Sequence, residues 1–136
     1  MRRMMGITVL ITVFFISGTA FVQTYSKKDS ILKGKEVYST FCQICHMADG
    51  KGQVGIYPPL AKADYLAKPA KNLINNIMNG QTGEIVVNGK KYNGQMLPHN
   101  FLTDEQIADV VNYMKNSWGN QSATVVTPAM VKKIRP

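Results

Sequence analysis

Apolar and polar positions along the chain fall into three kinds of pattern. Residues 6–22, GITVLITVFFISGTAFV, are apolar without helical periodicity and follow a short positive stretch, MRRMM. Helical spacing then appears three times. Val37, Tyr38 and Phe41 share a face, which predicts a helix from a Ser30 cap through Phe41. Leu73, Ile74, Ile77 and Met78 form the apolar face of a second helix, opened by Lys68-Pro69 with proline at its first position and ended by Gly80. Ile107, Val110, Val111, Met114 and Trp118 mark the last, where Thr103 with Gln106 reads as a capping box and Gly119 as the stop. Between the second and third lies EIVVNGKKY, residues 84–92, a hairpin with Asn88-Gly89 at its turn. The stretch from Asp49 to Leu60, with three glycines and two prolines, reads as a loop, and Thr127-Pro128 opens a short helix in the tail.

The N-terminal pattern carries its own message. A positive start, an apolar run, and small residues at Gly18 and Ala20 before Phe21 are the layout of a secretory signal peptide over residues 1–20. An uncleaved anchor reaching Val22 is the rival reading, since the run's length sits at the lower edge of the roughly 17–25 residues that span a bilayer. No cysteine lies nearby, so a lipid-modified anchor is excluded. On either reading the remainder is expected to be exported, to the periplasm or to the outer face of the cytoplasmic membrane.

The 136 residues suit one domain, and 45% apolar against 18% charged suits a folded one. The formal net charge is +8, and loss of Arg2 and Arg3 with the signal leaves +6. A positive surface can steer the protein toward an acidic partner or an anionic membrane, although scattered lysines also simply keep a protein soluble. No stripe of interleaved aromatic and basic residues appears, and export argues against DNA or RNA, so no nucleic-acid partner is expected, nor is a small-molecule substrate.

The candidate chemistry is concentrated in Cys42-Gln43-Ile44-Cys45-His46, which contains every cysteine in the chain and one of its two histidines. A disulfide across two residues would close a very small loop and remove little unfolded-state entropy. A zinc site needs four ligands, and only a distant His99 could join these three. A thiol-redox pair expects a βαβ surround that the flanks do not show. Covalent haem attachment has C-x-x-C-H as its signature. Residues three apart share a helix face, so Cys42 and Cys45 can form thioethers along one haem edge while His46 reaches the iron as proximal ligand.

Position selects among the eight methionines for a sixth ligand. Met1, Met4 and Met5 belong to the signal, Met47 adjoins His46, Met78 and Met114 sit in predicted helices, and Met130 is in the tail. Met96 remains, in an irregular YNGQMLP segment, with His99 as the competitor that would give bis-histidine ligation.

Residues 30–119 resemble a class I c-type cytochrome, of the small single-haem kind found in the periplasm and fused to or partnered with respiratory enzymes. The resemblance is carried by Gly34-Lys-Glu-Val-Tyr38, by the CQICH motif, by Pro58-Pro59-Leu60, and by Tyr92-Asn-Gly-Gln-Met96-Leu-Pro98, which departs from the family's usual Met-Pro. It implies an all-α cytochrome c fold, with three to five helices wrapped around one covalent haem c and a small hairpin before the axial-methionine loop. Residues 120–136 would form a C-terminal extension. It also implies Met96 as axial ligand, a backbone carbonyl near Pro58 or Pro59 as the acceptor for His46, and a close crossing of first and last helices at Gly34 beside Tyr38 and Tyr113. The function implied is a one-electron carrier between redox proteins, not an enzyme. The alternatives are an obligate haem subunit of an oxidase, nitrite reductase or dehydrogenase, and a sensor or enzyme with five-coordinate haem.

Overall fold

The computed structural model describes residues 25–136. The expected signal or anchor, residues 1–22, lies outside the described residues. In chain order the elements are α1 (Lys27–Phe41), α2 (Gln43–His46), a 3-10 turn (Asp64–Ala67), α3 (Ala70–Asn79), strands β1 (Ile85–Val87) and β2 (Lys90–Tyr92), α4 (Asp104–Met114) and α5 (Pro128–Lys132). Helices dominate, and the two strands form a single antiparallel hairpin.

The helix starts differ from expectation in instructive ways. Ser26, not Ser30, caps α1, its hydroxyl accepting from the Asp29 N–H at 3.3 Å. The first turn is polar, so apolar spacing carried no trace of it. Ser30 is instead buried inside the helix and donates to the Asp109 carboxylate at 2.6 Å. Pro69 stands one position earlier than predicted, as the N-cap of α3. The last helix begins as expected, with both hydrogen bonds of the Thr103–Gln106 capping box formed.

That helix stops at Met114, short of Trp118. Trp118 and Gly119 both take positive φ (52° and 86°), and the chain turns back on itself. Spacing could not separate a tryptophan one turn further along a helix from one folded back by a turn. The indole stacks with Tyr38 (centroids 4.9 Å apart) and Tyr113 (5.1 Å), while its N–H donates to the Ala48 carbonyl at 3.1 Å. Tyr38 and Tyr113 lie 5.4 Å apart, and the Tyr38 hydroxyl donates to the Met47 carbonyl at 2.6 Å. This aromatic cluster therefore clamps the end of the cysteine–histidine segment.

α1 crosses α4 at Gly34. A Cβ there would press into the carbonyl of Asp109 and lie 2.8 Å from the Tyr113 Cβ. Backbone on both sides leaves nothing flexible to yield, and overpacking of this kind costs about 1–3 kcal/mol or more. Gly34→Ala is expected to lower stability by about 3 kcal/mol, read as a fall in the midpoint of denaturant unfolding with an unchanged slope.

The tail is integrated with the rest. Val126 and Val131 are fully buried. Asn112 on α4 pairs with Val126 in both directions, accepting its N–H and donating to its carbonyl, each at 2.8 Å. Arg135 donates to the Asp104 carboxylate at 2.7 Å and to the Leu102 carbonyl at 2.8 Å. At the hairpin, Asn88 and Gly89 both have positive φ (50° and 73°), as a tight two-residue turn requires. Reciprocal 2.9 Å bonds between Asn88 and Asp64 fasten that turn to the 3-10 segment.

Candidate haem site

Cys42 stands where α1 ends and α2 begins, and the single turn of α2 sets its geometry. The Cys45 and His46 N–H groups both donate to the Cys42 carbonyl, at 3.2 and 3.0 Å. Met47, with φ of 62°, then ends the turn. One helical turn places the two sulfurs on the same side. They are not bonded to each other. Burial, reinforced by Cys45, pushes the Cys42 thiol up to about 12, so it is protonated at neutral pH. Redox-active thiols need the opposite shift, which counts against a thiol-exchange role.

His46 is oriented by the loop that follows. Its Nδ1 lies 3.0 Å from the Pro58 carbonyl, to which it donates. Nε2 is left with its lone pair. Burial holds the ring below its ordinary pKa, outweighing the Pro58 bond, and nearby His99 acts in the same direction. A neutral imidazole with one nitrogen committed to a carbonyl is the form a metal-binding histidine takes.

Another part of the cavity wall hangs from the end of α3. Met96 and Gln81 exchange both backbone hydrogen bonds, at 2.9 and 3.0 Å, and the His99 N–H donates to the Ile77 carbonyl at 2.8 Å. Gly80 makes this approach possible. Its φ is 75°, and a side chain there would collide with the Met96 carbonyl. Cys42, Cys45, His46, Met96 and His99 thereby line one cavity of about 360 Å³, otherwise walled mainly by apolar side chains such as Leu66, Leu73, Ile77 and Val87. Among the described residues no Asp, Glu, Lys or Arg lines it. Phe41, Ile44, Ile56 and Leu97 line it too and are exposed, Ile44 at 80% and Leu97 at 64%.

These features fit a haem. The lining is apolar, both thiols share one side, and a neutral imidazole and a thioether share the cavity. Among the described residues Nδ1 of His99 is buried without a hydrogen-bond partner, an orphaned polar atom in the wall of this cavity. Among the described residues no three His, Cys, Asp or Glu side chains converge as a zinc site would need.

Comparison with known proteins agrees. The family model described as cytochrome c matches residues 31–118. The chain belongs to the cytochrome c family. As a cytochrome c it carries covalently bound haem c, and its activity is one-electron transfer. It is 38% identical over 110 residues to cytochrome c-552 of Thermus thermophilus, an alignment covering 75% of this chain and 83% of that protein. It is 32% identical over 111 residues to the cytochrome c subunit of the quinone alcohol dehydrogenase of Gluconobacter oxydans, covering 75% of this chain but 22% of that subunit. The fructose dehydrogenase cytochrome subunit of Gluconobacter japonicus is 35% identical over 109 residues, again across 22% of its length.

Three features of this cytochrome c site escaped sequence reasoning. The orphaned Nδ1 of His99 depends on how loop and helix meet. So does the 2.9 Å bond from Asn76 to the hydroxyl of Tyr65, two side chains of the cavity wall. The third is the burial of Lys115, directly after the cavity residue Met114.

Proposed function

We propose that the protein is an exported one-electron carrier whose haem iron is held by His46 and Met96, and that it is not an enzyme. Bound haem supplies reversible ferric–ferrous exchange, tuned by axial ligands, burial and hydrogen bonding. Cys42 and Cys45 tether it, and His46 offers Nε2 because Pro58 engages Nδ1. Met96 offers its thioether from a backbone pinned to Gln81. With both axial positions taken by side chains, no coordination site is left for a substrate.

The single observation that carries this reading is the placement of Cys42, Cys45, His46 and Met96 around one cavity with no charged lining. Redox proteins are the proposed partners. The net charge, +8 for the whole chain and +6 without Arg2 and Arg3, supports an acidic docking surface on them, and membrane tethering would involve only the N-terminal segment. The extent of the likeness to cytochrome c-552, 83% of that protein against 22% of the dehydrogenase subunits, supports a diffusing carrier over a complex subunit.

The test is expression with haem-maturation machinery, followed by intact mass and a reduced-minus-oxidised spectrum. One added haem per chain and c-type bands are expected, with no carbon monoxide adduct at neutral pH. A bare polypeptide mass would sink the haem assignment. A ready carbon monoxide adduct would point instead to five-coordinate iron, and stable co-purification with a dehydrogenase would favour the subunit reading.

A further inference from the structure

Lys115, at the C-terminal end of α4, is 8% exposed and has no carboxylate partner among the described residues. Its ammonium donates to the Leu66 carbonyl at 2.6 Å and to the Lys68 carbonyl at 3.2 Å, both at the end of the 3-10 turn. Leu66 itself lines the haem cavity, and so does Met114, the residue before Lys115. A cation is therefore stationed one residue's thickness behind the wall of a cavity that no charged side chain lines. Stabilising a short turn does not call for a lysine: an ammonium held by two carbonyls is costly to bury, and an apolar side chain could fill the space.

We propose that Lys115 is a tuning residue, a buried cation that raises the haem's reduction potential from behind Leu66. The inference rests on the electron-carrier reading. Reduction adds one negative charge at the iron, and a fixed positive charge in a poorly screened interior favours the reduced form. The electron comes from the donor protein, and no proton need move while the amine stays protonated with its N–H groups on the two carbonyls.

The surroundings isolate the effect. On the elements packed against Lys115, the titratable side chains are Asp64 and Tyr65 of the 3-10 turn, Lys68 just after it, Lys71 at the start of α3 and Lys132 of α5, whose Met130 lines the same cleft. Asp64 accepts from the Asn88 N–H, and the Lys68 ammonium sits 3.6 Å over the Tyr65 ring. The adjoining cleft is lined by Asn120, Gln121, Ser122 and Thr124, none of them titratable, and among the lysines only Lys68 joins Lys115 there. Burial alone lowers the pKa of Lys115. Loss of its proton on the alkaline side should therefore remove the cation and lower the potential.

The experiment is protein-film or solution voltammetry of the haem-loaded wild type, Lys115→Met and Lys115→Arg from neutral to alkaline pH, with the visible methionine–iron band followed in parallel. Lys115→Met is expected to have a lower potential than wild type at neutral pH, and Lys115→Arg to recover it. The wild-type potential should fall over the alkaline range while the methionine band persists, and that of Lys115→Met should stay level. A merely structural lysine would produce no such pH-dependent difference. Equal potentials in wild type and a Lys115→Met variant that keeps its band would overturn the proposal. If Lys115→Met does not fold, a level wild-type potential across that range would do the same. Failure of the carrier reading looks different: the wild type itself would show no reversible one-electron wave.

Discussion

Replacing Met96 by alanine is expected to lower the reduction potential by a substantial part of the roughly 0.8 V range that axial ligation spans, and to open the iron to cyanide and carbon monoxide. A thioether is a soft, neutral ligand that favours ferrous iron, so a His/Met pair sits high in potential. The Met96 backbone is doubly bonded to Gln81, so truncating the side chain leaves the loop in place and removes only the sulfur. The paired variant is His99→Ala, which should keep the methionine band and the closed iron. Redox titration and ligand-binding spectra read both. Should Met96→Ala behave as wild type while His99→Ala opens the iron, the ligand assignment passes to His99.

Removal of both tethers, Cys42→Ala with Cys45→Ala, is expected to cost most of the domain's cooperativity along with its haem. The site interrupts the core over about 360 Å³ between α2, the 3-10 turn, α3 and the hairpin. At about 24 cal/mol per Å³ of unfilled cavity, leaving it empty corresponds to about 9 kcal/mol, reduced where water enters the exposed rim. Whole domains are stable by only about 5–15 kcal/mol. The double variant should therefore show a bare polypeptide mass and broad, weakly cooperative thermal unfolding. Either single variant should keep haem through one thioether with a shifted absorption band. Sharp unfolding of the haem-free double variant, at the wild-type temperature, would show that the cofactor is not the centre of this core.

Much of the fold was legible locally, because the decisive signals lie within a few residues of one another. The capping box needs only Thr103 and Gln106, the hairpin turn only Asn88 and Gly89, and the helix crossing was marked by one small residue, Gly34. The misses share a cause as well. Ser26 caps a polar first turn that leaves no apolar trace, and Ser30 reads as a cap in the sequence because its true partner, Asp109, lies 79 positions away. Trp118 sits at helical spacing from Met114 yet belongs to a turn that brings it against Tyr38 from the other end of the domain.

By itself the sequence determined the cofactor chemistry, since two tethers and a histidine ligand are contiguous in residues 42–46 and a single helical turn arranges them. Local order also set the helical class and the hairpin. Tertiary structure alone decided which carbonyl holds Nδ1 of His46, that Met96 and His99 line one cavity with it, and that the ammonium of Lys115 lies buried behind Leu66. Those relations join segments 12 to 53 positions apart, and distance along a chain carries no record of distance in space until the helices have packed.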